Sequence, residues 1–135
     1  MTMTTTVGKV GVYLVHGTAG NVGTPGAPIL HFSLMVNAST GAVSGQARQT
    51  QAVQGPMSDV LISNVTGQIR YTGLGEYTKI VSLQGSAVIT VPPPAIGAYL
   101  APFDAHFAIN DAWEGVGGWS LGGTSVENVP VTSEH

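Results

Sequence analysis

Apolar and polar residues alternate along most of this chain, and glycine and proline punctuate the alternation at short intervals. A period of two is the signature of β-strands, whose successive side chains point to opposite faces. Lys9 to His16 opens the pattern, with Val10, Val12 and Leu14 on one parity and Tyr13 and Val15 on the other. Both faces are apolar, which predicts a strand covered on both sides. Residues Gly17 to Pro28 carry four Gly and two Pro and are expected to form a long loop. Ile29 to Asn37 reads as the next strand, with Leu30, Phe32, Leu34 and Val36 as its core face. Ala38-Ser39-Thr40-Gly41 is a hairpin turn, with Gly41 placed for a positive φ. Ala42 to Val53 returns as a polar strand, suited to a sheet edge or a solvated face.

After Gln54-Gly55-Pro56 the pattern predicts a strand from Met57 to Val65, a turn at Thr66-Gly67 and a short strand from Gln68 to Thr72. Tyr77 to Val91 is a long strand interrupted at Gly85, as by a bulge or bend, and ended by Pro92-Pro93-Pro94. The following loop is expected to run to Pro102. Phe103 to Ile109 turns Phe103, Ala105, Phe107 and Ile109 inward and Asp104 and His106 outward. Asn110-Asp111-Ala112 makes a turn, Trp113 to Leu121 a loose Gly-rich hairpin and Val126 to Val131 a last short strand. No segment has a helical stripe and no fixed-period repeat is present. About eight strands with short connections predict an all-β, single-domain antiparallel β-sandwich or barrel over residues 1–135, with 1–7 and 132–135 frayed.

Charge changes this picture most. Only 8% of the 135 residues are charged, against roughly 25% in ordinary globular proteins. The four cations, Lys9, Arg48, Arg70 and Lys79, form no run, and the net charge is −3, so neither nucleic acid nor an anionic membrane is an expected partner. A surface with so little charge predicts that part of it is covered, most simply by copies of the same chain as a homo-oligomer. There is no Cys, which excludes disulfides, thiolate metal sites and Cys nucleophiles. Residues 1–6 have neither a charged nor an apolar signal region, and no run approaches a membrane span. A cytoplasmic location is expected, with signal-independent export left open.

The chemistry-bearing motifs are sparse. The Gly17–Gly26 loop lacks both the spacing and the Lys of a phosphate loop. Gly118-Trp119-Ser120-Leu121-Gly122 matches the letters of a nucleophile elbow, but no helix follows it, and His106 precedes the serine instead of ending the triad. No enzyme is therefore expected. His16, His31 and His106 are scattered, so no metal or other cofactor is expected, and His16 and His31 read as satisfied histidines at strand ends. The sequons Asn37-Ala38-Ser39 and Asn64-Val65-Thr66 read as chance matches. Asp104, His106, Asn110, Asp111 and Glu114 collect polar groups around Trp113 and Trp119. Planar aromatics beside amides and carboxylates are the chemistry that stacks and hydrogen-bonds sugars, so these seven residues form the expected ligand site. The competing reading places both indoles in the core or at an interface, and places Asp104 and His106 on a solvated outer face.

The stretch Gly23-Thr24-Pro25-Gly26-Ala27-Pro28-Ile29-Leu30-His31-Phe32-Ser33-Leu34-Met35-Val36-Asn37, the Thr50-Gln51-Ala52 at the end of the next strand and the later Asp111-Ala112-Trp113 resemble a family of small proteobacterial proteins, Burkholderia-type species included, catalogued as a domain of unknown function. The resemblance covers most of the chain and implies a small stand-alone bacterial domain. It carries over no catalytic residues. Two expectations follow: a non-enzymatic binding module, lectin-like and homo-oligomeric, or a structural, self-assembling protein without a small-molecule ligand.

Overall fold

The computed structural model describes residues 11–52, 59–73, 75–90 and 97–134. They form eight strands: β1 (Val12–Gly20), β2 (Ile29–Asn37), β3 (Ala42–Thr50), β4 (Asp59–Tyr71), β5 (Lys79–Thr90), β6 (Ala98–Ile109), β7 (Gly115–Leu121) and β8 (Thr124–Glu134). Each strand pairs antiparallel with the next, and β8 returns to β1, closing a barrel. The closing ladder joins His16–Ala19 to Val131–Glu134. The expected choice between sandwich and barrel thus resolves to an up-and-down barrel. Closure removes the exposed ladder edges that an open sheet of this length would carry.

The interior is a packed core. Leu30, Phe32, Leu34 and Val36 of β2 point inward, as do Val81, Leu83, Ala87 and Ile89 of β5 and Phe103, Ala105, Phe107 and Ile109 of β6. The inward parity of these strands is the one the alternation predicts. Gly41 takes the left-handed conformation (φ 79°) that its turn requires.

Two bulges interrupt the parity elsewhere. Gly45 pairs with Val65 and Ala47 with Ile62, so Ser63 and Asn64 together face Gln46. The extra residue moves the inward set of β4 from Val60 and Ile62 to Val65 and Ile69. Gly117 pairs with Val129 and Trp119 with Val126, so Glu127 and Asn128 together face Gly118. Asn128 takes φ 57°, a conformation Asn tolerates better than most residues.

Several expectations are corrected. The first strand runs to Gly20, so Gly17–Gly20 is strand and the loop starts at Asn21. Its outer face is not covered, since Val12 and Leu14 are exposed. Lys9, Val10, Val53 to Met57 and the Pro92-Pro93-Pro94 stop lie outside the described residues. The polar strand β3 is not at an edge, because it pairs with β2 and β4. Its outer face is the solvated one the alternation allows, and its inner face carries one polar side chain, the buried Gln49. Thr66-Gly67 is no turn but lies mid-ladder, opposite Gln84 and Leu83. The bulge expected at Gly85 belongs to β4, and Gly85 itself pairs with Phe103 in an unbroken β5. Ala98–Pro102 is already strand, as are Thr124–Ser125 and Thr132–Glu134.

The Gly-rich segment expected to be loose is the regular strand β7. A Cβ at Gly117 would collide with His106 O and Phe107, and one at Gly118 with Val126 O and Glu127. Glycine is present there because neighbouring strands approach closely, not because the chain turns.

Candidate functional site

The seven residues expected to form a ligand site do not converge. Asp104 and His106 do lie on the outer wall of β6, both exposed, as their parity predicts. Asn110–Glu114 forms the β6–β7 turn at one mouth of the barrel. Asn110 lies four positions beyond His106, about 13 Å of extended chain. Asn110 is occupied in building the turn: its Oδ1 accepts the N–H groups of Ala112 (2.9 Å) and Glu114 (3.1 Å). Asp111 pairs with the Lys79 ammonium at 3.3 Å, covering the buried cation at the barrel mouth. Glu114 is exposed.

The two tryptophans lie in the core, as the competing reading has it, and form no stacking platform. Trp113 and Trp119 are 2% and 1% exposed, inside the barrel. Trp113 holds φ 61°, rare for a bulky side chain, which folds its indole into the mouth against Phe32, 6.1 Å between ring centroids. Its Nε1–H donates to the Tyr13 hydroxyl at 3.1 Å. Burial pushes the Tyr13 phenol above its ordinary pKa, an effect that the Trp113 hydrogen bond partly opposes. Trp119 Nε1–H donates to Gln49 Oε1 at 2.7 Å, and Gln49 is itself buried. A buried indole N–H needs a partner, and each barrel half supplies one. Neither ring face is open to a sugar.

Sequence reasoning missed Glu127. The β8 bulge and the missing side chain at Gly118 bring its Oε1 to 3.1 Å from His106 Nε2. The pair is half-exposed on the wall, and only the bulge reveals it. Ser120 stands opposite Asp104 and Ser125 in extended strand, not on a strand-to-helix elbow. Among the described residues no group of three or more His, Asp or Glu gathers as a metal site.

The polar groups that do gather lie on the opposite wall. His16 of β1, Ser33 and His31 of β2, Gln46 and Arg48 of β3, Leu61 of β4 and Glu134 of β8 line an open groove of about 300 Å³. The ladders explain the grouping: Ser33 pairs with His16 and Gln46, and His31 pairs with Thr18 and Arg48. His16 Nδ1 lies 2.8 Å from Ser33 Oγ, and His31 Nε2 lies 3.1 Å from Thr50 Oγ1. Arg48 meets Asp59 at 3.5 Å, with both side chains half-exposed. A second hollow, of about 270 Å³, shares His16, Ser33 and Gln46 and continues to Leu14 and Met35. His16 and His31 are satisfied, as expected, each by a hydroxyl, but they also share one groove. The signal was present in part, since the turn at Ala38–Gly41 already sets His31 opposite Arg48. The β1 register that adds His16 carries no local mark.

The β5–β8 wall, which also bears Asp104, His106 and Glu127, carries an apolar row. Ile80 pairs with Ala108, Ala108 with Val116 and Val116 with Pro130, so four adjacent strands present one line of apolar side chains outward. Ile80, Val116 and Pro130 are exposed and Ala108 is half-buried. Further along the same wall, Val88 and Leu100 pair with each other, 65% and 68% exposed.

With this geometry in place, comparison with known proteins identifies the chain. Residues 10–124 match the family described as domain of unknown function (DUF1842), and the chain belongs to that family. No curated protein matches it.

Proposed function

We propose that this DUF1842 protein is a non-enzymatic binding module that works through the outer wall of a filled barrel and assembles as a homo-oligomer. The observation that carries this reading is the row Ile80–Ala108–Val116–Pro130, an apolar line across four strands of a chain with very little charge. Strands lie about 4.8 Å apart, so the row is roughly 14 Å long, and a second sheet face packs on such a surface at about 10 Å. Contiguous apolar surface of this kind marks contact with a partner, and a copy of the same wall is self-complementary.

The interior supports the same reading from the other side. Among the described residues it is filled by aromatic and aliphatic side chains, as in barrels whose interior is core rather than ligand cavity. Polarity argues against a membrane-spanning barrel, which is apolar outside and polar within. Here the core is apolar, and Arg48, Asp59, Asp104, His106 and Glu127 stand on the wall. Both indoles are spent on the core, so this turn offers a glycan no aromatic platform.

Light scattering after size exclusion tests the proposal. The native chain is expected to run as a stable oligomer, and Ile80→Lys/Val116→Lys as a folded monomer. A monomeric native chain at 100 μM, or an oligomer untouched by both lysines, refutes it.

A further inference from the structure

The groove on the β1–β4 wall is independent of the apolar row and carries a different chemistry. We propose that it is a binding site for an oxyanion, carboxylate or phosphate, and that it binds more strongly on acidification. The chain has four Lys and Arg residues in all. Among the described ones, Lys79 is buried against Asp111, which leaves Arg48 and Arg70 on the wall. Arg48 lines the same groove as two of the three described histidines. In a chain so poor in charge, this is the densest gathering of cationic and potentially cationic donors among the described residues.

The donors suit an oxyanion. Guanidinium offers five N–H groups in a planar fork, and the single 3.5 Å contact to Asp59 engages one nitrogen. Each imidazole uses one ring nitrogen on a hydroxyl, Ser33 for His16 and Thr50 for His31. When protonated, each has a second N–H to offer a ligand. Gln46 adds a neutral amide at the groove wall.

The sign of the groove depends on those imidazoles. Among the described residues, the charged and titratable groups around it are His16 on β1, His31 on β2, Arg48 on β3, Asp59 on β4 and Glu134 on β8. With neutral imidazoles, one cation stands against two carboxylates, a balance of −1; with both protonated the balance is +1. Histidine is the side chain that ordinarily changes charge between pH 5 and 8, so acidification inverts the field an anion meets.

Titration of the amide and imidazole NMR signals with succinate and, separately, inorganic phosphate, in a zwitterionic buffer, tests the site. At pH 5.5 the shifts are expected to cluster at His16, His31, Ser33, Gln46 and Arg48, and affinity should fall at least tenfold at pH 8. Tighter binding of succinate identifies a carboxylate ligand, and tighter binding of phosphate a phosphate-bearing one. Arg48→Gln and His31→Gln should each weaken binding at least fivefold without altering the fold, read from the unchanged remainder of the spectrum. Glu134→Gln, which removes a repelling charge, should tighten it. Shifts scattered over the surface, equal affinity at both pH values, or indifference to Arg48→Gln and Glu134→Gln overturns the proposal.

Discussion

The hydrogen bond from Trp119 to Gln49 places a polar pair deep in an apolar barrel, where losing one partner is costly. Replacing Gln49 with Met keeps an unbranched side chain of the same reach and removes the acceptor at 2.7 Å. The indole N–H is then buried without a partner, which costs about 1–3 kcal/mol. For a chain of 135 residues the unfolding entropy is about 0.28 kcal/mol/K, so a loss of ~2 kcal/mol lowers Tm by about 7 °C. Trp119→Phe also destabilises, through lost volume and through the stranded Gln49 amide. In the double variant neither polar group remains unpaired. Urea denaturation of all four proteins should therefore give a coupling of about 1–3 kcal/mol, with the double variant more stable than the sum of the single losses. Additive losses, to within ~0.5 kcal/mol, would mean that the two side chains do not meet and that Trp119 lies elsewhere.

Three further perturbations test other parts of the account. Asp111→Asn should lower stability by about 1 kcal/mol, a value discounted for the exposure of the carboxylate, and the loss should fade in 1 M salt; Lys79→Met, which removes the buried charge itself, should cost little. Burial raises the Tyr13 pKa, so the stability it contributes is complete below the unfolded phenol value near 10 and is lost as pH rises through the raised one. Tyr13→Phe should flatten the decline in urea midpoint above about pH 10 while costing ~1 kcal/mol at neutral pH, where Trp113 loses its acceptor; an unchanged alkaline slope would contradict the assignment. Asn128, left-handed in the β8 bulge, should tolerate Gly to within a few tenths of a kcal/mol, whereas Val should cost about 1–2 kcal/mol and detach Glu127 from His106, read from the His106 imidazole signals.

Much of this fold is legible in the chain, and the reasons for the failures are physical. The inward residues of β2, β5 and β6 follow from period two because those strands carry no bulge. The parity of β4 and β8 cannot be read straight through, since Ser63-Asn64 and Glu127-Asn128 each insert a residue that no local composition announces. Glycine misled most. At Gly67, Gly117 and Gly118 it answers a close backbone neighbour rather than a turn, and that neighbour lies on another strand. Closure depends on His16–Ala19 meeting Val131–Glu134, a contact between the two ends of the described chain with no local signal. The expected site failed for the same reason. Asp104 and His106 point outward as their parity predicts, but their neighbours are set by the ladder, which sends Asn110 to a turn, Asp111 to Lys79 and both indoles inward. His16 and His31, 15 positions apart, come to line one groove through the β1–β2 register alone.

The wall of β5–β8, and not the interior, is the proposed contact between copies of this chain. An isotope-filtered NOE experiment on a mixture of carbon-13-labelled and unlabelled chains reads that contact directly. Cross-peaks between chains should involve the methyl groups of Ile80, Ala108 and Val116. Cross-peaks confined to Leu14 and Met35, or none at protein concentrations near 1 mM, would contradict it.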